Sequence, residues 1–178
     1  MPIRPATAAD VPAIAAIYDH HVEHSVATFD LEPQGGALWQ EKVDATGAGA
    51  RLLVAEEDGA VVGFAYSSPF RHRPAYSGTR ETSTYLSPEA DGRGLGRQLY
   101  DALLERLAAD GIHTVIAVVA QPNPASTALH RRCGFTEVGT LREVGRKHGR
   151  LVDITWWQRH LGDSPAPPPP RSTAPPLG

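Results

Sequence analysis

The chain has 178 residues, 41% of them hydrophobic and 21% charged, with a formal net charge of −3. That is the balance of one globular domain with a real core, and no basic excess points to nucleic acid. A single cysteine, Cys133, excludes an intramolecular disulfide and fits a reducing compartment.

The first twenty residues mix acids and histidines with apolar positions, so they read as neither a signal peptide nor a membrane anchor, and a cytoplasmic location is expected. Ile3 to Pro5 reads as a short extended start. Asp10 and Pro12 open a helix whose apolar positions Val11, Ile14, Ala15, Tyr18 and Val22 recur at helical steps to about His21. A weaker helical segment runs from Leu38 to Ala45. Leu52 to Glu56 and Val61 to Ser67 read as a hairpin around Glu57-Asp58-Gly59. Thr79 to Leu86 is a strand too polar to be buried on both faces, which suggests that one face serves a site. Gly94 to Asp110 carries the clearest helical stripe, Leu99, Leu103 and Leu107, and stops at Gly111. Thr114 to Ala120 has the β-branched run of a buried strand. Asn123 or its neighbours cap a short helix through Arg132, Gly134 breaks it, and strands follow from Phe135 to about Val144 and from Leu151 to Gln158. This order predicts an α/β domain with a mixed sheet over residues 1–161. The proline-rich residues 162–178 read as a disordered or polyproline-like tail, a solvated extension rather than an SH3-type ligand.

The stretch Tyr85 to Gly96 joins the polar strand to the clearest helix. Its glycines let the backbone approach an anion, and the helix N-terminus adds unpaired N–H groups and about half a positive charge. Together they form a pyrophosphate cradle, with Arg93 and Arg97 able to add charge-assisted contacts. A P-loop is excluded because Gly96 is followed by Arg97-Gln98, and a Rossmann fingerprint because the loop lies mid-chain after antiparallel strands.

About thirty residues on, Asn123, Ser126, Leu129-His130 and Cys133-Gly134-Phe135 complete a pattern with Arg93-Gly94-Leu95-Gly96 and the intervening strand. The combination resembles the GNAT acetyltransferase superfamily. The resemblance implies the acyl-CoA N-acyltransferase fold, a central mostly antiparallel sheet flanked by helices, with acetyl-CoA as co-substrate. It implies pyrophosphate and pantetheine contacts at Tyr85, Leu86, Ser87, Arg93, Gly94, Leu95, Gly96, Arg97, Gln98 and Asn123. Asp91 departs from the usual Arg or Gln, and its side chain is expected to turn to solvent. Further blocks are similar to the phosphinothricin and methionine-sulfoximine acetyltransferases: Ser25 to Gln34, Gly63 to Tyr66, Phe70 to Tyr76, Thr79 to Tyr85, Gly145 to Asp153, and Trp157-Gln158. Leu151 stands where that family usually places Trp.

An amine must lose a proton before it attacks a thioester, so a base is needed. Glu81 on the polar strand matches the family's proposed base, against the plain alternative of a solvated strand glutamate. His130 stands where many GNAT enzymes have Tyr and is expected to donate to the oxyanion or the leaving thiolate. A backbone N–H near Tyr85 and Leu86 is a second oxyanion donor. Glu81→Gln and His130→Ala are each expected to lower turnover and leave the fold intact. Arg71, Arg73 and Lys147 supply cations for an anionic amino-acid-like substrate, Tyr76 a hydroxyl or aromatic wall, and Phe29 lines the pocket or packs beneath it. His20, His21 and His24 lack a further ligand at useful spacing, so no metal is expected. Cys133 reads as a small buried residue, and direct transfer in a ternary complex is favoured over an acyl-enzyme. Trp156 and Trp157 read as core and interface. The alternatives are a GNAT enzyme for another small amine or a protein N-terminus, and a sensor that binds acyl-CoA without turnover. The resemblance also implies a homodimer.

Overall fold

The computed structural model describes residues 2–90 and 92–162. The expectations for Asp91 and for the tail beyond Gly162 lie outside the described residues. The elements, in chain order, are β1 (Ile3–Pro5), α1 (Val11–His24), α2 (Gly35–Asp44), β2 (Leu52–Glu57), β3 (Ala60–Pro69), β4 (Thr79–Leu86), α3 (Leu95–Ala109), β5 (Thr114–Gln121), α4 (Pro124–Arg132), β6 (Thr136–Lys147) and β7 (Arg150–His160). They build one mixed seven-stranded sheet in the order β1-β2-β3-β4-β5-β7-β6. Every neighbouring pair is antiparallel except β4 and β5.

Strand alternation sends successive residues to opposite faces. Leu53 and Ala55 pack with Leu99, Leu103, Leu107 and Val115 under α3. Leu52, Val54 and Phe64 pack with Ile14, Tyr18 and Trp39 under α1 and α2. All five periodic positions of the first helix are buried, but α1 runs one turn beyond His21. That turn places His21 and His24 at the negative end of the helix dipole before Ser25 leaves helical geometry. The second helix starts at Gly35, before the apolar pattern at Leu38, and Trp39 anchors it in the core. β6 continues past Val144 to Lys147, interrupted between Leu141 and Gly145, where Glu143 has φ of 56°. β7 extends to His160. Cys133 is buried and its thiol is pushed up to about 11 by that burial, as suits a packing residue. Trp157 is core, while Trp156 is half-buried beside Phe70.

The start of α1 is held by an ion pair. Arg4 donates to Asp10 at 2.7 and 2.8 Å, and the Thr7 amide and hydroxyl donate to the same carboxylate. The Arg4 bonds hold the Asp10 carboxyl well below the usual range, so its folded pKa lies under its unfolded one. The associated stability is present above pH of about 4 and is lost as pH falls through the folded pKa. Asp10→Asn should cost about 1–2 kcal/mol at neutral pH in urea denaturation, with the difference from wild type shrinking in acid. An unchanged midpoint at pH 7 would refute the clamp.

Candidate active site

β4 and β5 are parallel neighbours only from Thr79 to Glu81 and from Thr114 to Ile116. Beyond Glu81 and Ile116 both strands continue, β4 with β3 and β5 with β7, but no longer with each other. A V-shaped opening results, and its cavity of about 410 Å³ is lined by Thr82 to Leu86, Val118 to Ala120 and residues of α3 and α4. Its mouth is the glycine turn. Gly94 has φ of 78°, the left-handed region where a Cβ would be strained, and it delivers the chain into α3 with the amides of Leu95, Gly96 and Arg97 unpaired within the helix. Gly96 lies against Leu129 and Leu86, where a Cβ would make ordinary van der Waals contact.

The expected anion and pantetheine contacts divide into two groups. Tyr85, Leu86, Gly94, Gly96, Arg97 and Asn123 line the cavity. Ser87 instead donates its amide to Val62, Leu95 is buried, Gln98 starts the helical hydrogen bonding by donating to Gly94, and Arg93 is ion-paired with Glu57 of β2. Asn123 caps α4 by accepting from the Ser126 amide at 2.9 Å. The hydroxyl of Thr84, on the cavity wall, is buried and has no partner among the described residues. An orphaned hydroxyl in such a wall fits a cleft that meets a polar ligand.

Glu81 lies at the point of divergence, half-buried. Burial raises its carboxyl above the ordinary range, and Arg71 pulls it partly back. Its cross-strand partner is Ser68. His130 is 5% exposed and lines the same cavity. Its Nδ1 lies 2.7 Å from the Ser126 carbonyl, which only accepts, so the proton is on Nδ1. Nε2 then accepts from the Tyr100 hydroxyl at 3.0 Å, and Tyr100 is also 3.0 Å from the Thr82 hydroxyl. Burial lowers the imidazole pKa, opposed by the Ser126 bond, so the ring stays neutral. The imidazole therefore meets the cavity through a hydrogen-bonded chain rather than with a free nitrogen.

Arg71 stacks on Phe70, Phe70 meets Tyr76 edge-on, and Arg73 is exposed just before the turn containing Tyr76. Phe29 is 39% exposed and its ring lies over Gly145, where any Cβ would overlap it. Lys147 is turned inward and donates to the Thr28 carbonyl at 2.8 Å. Burial lowers its pKa, and Asp30 offsets part of that. Thr28 and Asp30 are in turn tied to the Tyr18 hydroxyl. Among the cavity residues that the sequence did not point to as such are His21 and Tyr100. His21 donates from Nε2 to the Leu86 carbonyl at 2.9 Å, and Tyr100 spans the floor. His21 lies in a histidine cluster whose spacing was weighed only for metal, and Tyr100 adjoins the Leu99 stripe and looks like packing, so neither pattern pointed to a cleft. His20 and His24 stack at 4.5 Å, and no group of three metal-ligating side chains occurs among the described residues.

A parallel strand pair that opens over a glycine turn and a helix N-terminus, with a half-buried carboxylate at the apex, defines the N-acyltransferase class of mixed α/β folds. The family model for the acetyltransferase (GNAT) family matches residues 14–135, and the chain belongs to that family. Phosphinothricin N-acetyltransferase of Streptomyces viridochromogenes is 42% identical over 168 residues, which cover 94% of this chain and 91% of the relative. L-methionine sulfoximine/L-methionine sulfone acetyltransferase of Pseudomonas paraeruginosa is 39% identical over 168 residues, covering 93% and 98%. A solved GNAT superfamily phosphinothricin acetyltransferase from Sinorhizobium meliloti, in complex with AcCoA, superposes with a TM-score of 0.88 at 39% identity, covering 96% of this chain and 94% of that one.

Proposed function

We propose that this protein is an acetyl-CoA-dependent N-acetyltransferase acting on the amino group of a small amino-acid-like substrate, of the phosphinothricin or methionine-sulfoximine type, within residues 1–161. The observation that carries the reading is the opening of β4 from β5 directly beyond Glu81. The donor's pyrophosphate rests on the free amides that begin α3, and its pantetheine arm runs between the diverging strands, where the Thr84 hydroxyl lacks a partner among the described residues. Arg97 and Asn123 flank that path; Arg93, held by Glu57, and Ser87, Leu95 and Gln98 shape the loop from behind.

Glu81 takes a proton from the substrate ammonium, directly or through one water. The amine nitrogen attacks the thioester carbonyl, the C–N bond forms, and the oxyanion is met by a β4 backbone N–H near Tyr85 and Leu86. The C–S bond then breaks, and the thiolate is protonated from the side of the cleft where His130 and Tyr100 lie. Arg71, Arg73 and Tyr76 receive the polar end of the substrate, Phe29 forms a wall, and Lys147 holds the loop that carries Phe29. Thiol release from acetyl-CoA across L-phosphinothricin, L-methionine sulfoximine, L-methionine sulfone and several polyamines tests the reading. Turnover of the amino-acid analogues is expected; donor binding without thiol release would identify a sensor instead.

Gly145→Ala tests the placement of Phe29. The added Cβ displaces the ring, so the KM of the amino-acid substrate should rise about tenfold while that of acetyl-CoA holds, with about 1–3 kcal/mol lost in stability. Kinetics equal to those of wild type would remove Phe29 from the pocket. A homodimer in the cytoplasm completes the proposal. Val138, Leu141, Val144 and Leu151 are exposed on the β6–β7 hairpin and support a subunit contact there, and no described helix is long and apolar enough to cross a membrane. Light scattering that returned a monomer mass would overturn the dimer.

A further inference from the structure

We propose that Lys42 seats the α-carboxylate of the substrate whose amine lies at Glu81. The proposal rests on the acetyltransferase reading and extends it to the second functional group that every α-amino acid carries.

Lys42 stands in the last turn of α2, and its ammonium donates to the Ser68 hydroxyl at 3.2 Å. It also lies 4.5 Å from the centre of the Tyr66 ring. Ser68 is the cross-strand partner of Glu81, and Tyr66 is the partner of Ser83. Directly opposed residues of an antiparallel pair project from the same face, with Cβ atoms roughly 5 Å apart. Glu81, Ser68 and the Lys42 ammonium are therefore gathered on the face of the sheet covered by α1 and α2. An α-amino acid carries its amine and carboxylate on a single carbon, and one such cross-strand step separates the two seats.

The charge of Lys42 is only partly balanced locally, by the neighbouring Glu41. It is half-buried, and among the described residues no carboxylate forms an ion pair with it. The charge that acts on it most strongly is Arg80, a second half-buried cation whose side chain leaves β4 on the opposite face. The buried Nε of Arg80 also has no hydrogen-bond partner among the described residues. Burial first, and then repulsion from Arg80, push the Lys42 pKa down. Two half-buried cations, offset only in part by Glu41 beside Lys42 and by Asp110 toward Arg80, are costly in the free protein and favourable toward an arriving carboxylate. Lys147 is placed differently: it donates to the Thr28 carbonyl of the loop that carries Phe29, and Asp30 offsets its charge there. Arg71 and Arg73, on the loop after β3, remain for the far end of the substrate.

The bland alternative is a structural tie, in which Lys42 merely stacks on Tyr66 and bonds Ser68. Steady-state kinetics of wild type, Lys42→Met and Lys42→Arg with L-methionine sulfone and with its α-carboxamide separate the two. Lys42→Met should raise the KM for L-methionine sulfone about tenfold or more, with kcat within about twofold. It should change the KM for the carboxamide by less than about twofold, because that compound has no carboxylate to lose. Lys42→Arg should recover part of the KM. Equal effects on both compounds, or none on either, in variants that melt at the wild-type temperature would overturn the proposal while leaving the acetyltransferase reading in place. Wild-type protein that acetylates neither compound, nor L-phosphinothricin, would overturn that reading and this proposal together.

Discussion

Glu81→Gln should lower kcat by about 10²- to 10⁴-fold, the usual contribution of a positioned base. The change keeps the shape of the side chain and removes only its ability to accept a proton. Glu81 is half-buried and forms no ion pair among the described residues, so stability should move by about 0.5 kcal/mol or less. The loss should be largest at low pH, where the substrate is an ammonium, and smaller at alkaline pH, where the amine loses its proton to solvent. The pH profile carries the same signature. Burial raises the Glu81 carboxyl and Arg71 lowers it, with burial the larger effect, so the acid limb of kcat/KM should lie above the ordinary glutamate value of about 4.3. Arg71→Gln removes the opposing charge and should move that limb further up. Turnover by Glu81→Gln within threefold of wild type across this range would exclude the carboxylate as the base.

His130→Ala is expected to damage both turnover and stability, and here the structure revises the sequence expectation of an intact fold. The imidazole is buried, uses both nitrogens, and packs against Tyr100, Phe135 and Trp157. Its removal leaves a cavity and orphans the hydrogen bond from Tyr100, at a cost of about 2–4 kcal/mol. For a chain of this size that corresponds to a melting temperature lower by roughly 5–15 °C. A fall in kcat in this variant therefore mixes packing with chemistry. Tyr100→Phe is the cleaner companion, since it keeps the ring and deletes the hydroxyl that joins His130 to Thr82. A drop in kcat there, with only about 1 kcal/mol lost, would place the hydroxyl and its imidazole partner in the reaction. Urea midpoints equal to wild type for His130→Ala would show that the buried bonds contribute nothing.

The sequence by itself determined the elements and most of the mouth of the site. Periodicity marked α1 through Ile14, Tyr18 and Val22, and α3 through Leu99, Leu103 and Leu107, because apolar spacing is written locally. The Gly94 turn and the Asn123 cap were legible for the same reason: each depends on one residue type at one backbone position. The polar character of the strand from Thr79 to Leu86 set it apart in the sequence, and Glu81 within it is the residue at which β4 leaves β5. Ends of elements were less legible, as at α1 and β6, because fraying and bulges depend on neighbours that sequence spacing does not name.

Only the tertiary structure decided which side chains face the cleft. Lys147 and Arg93 are both cations in suggestive stretches, yet one turns inward to Thr28 and the other is taken by Glu57, 36 residues away in the chain. The local sequence holds no information about those partners. Conversely, Lys42 and Tyr100 sit in helical patterns that look like ordinary surface and core, and pairing across the sheet brings them to Ser68 and His130. Charge and hydrogen-bond partners are properties of contacts between distant segments, which exist only once the chain has folded.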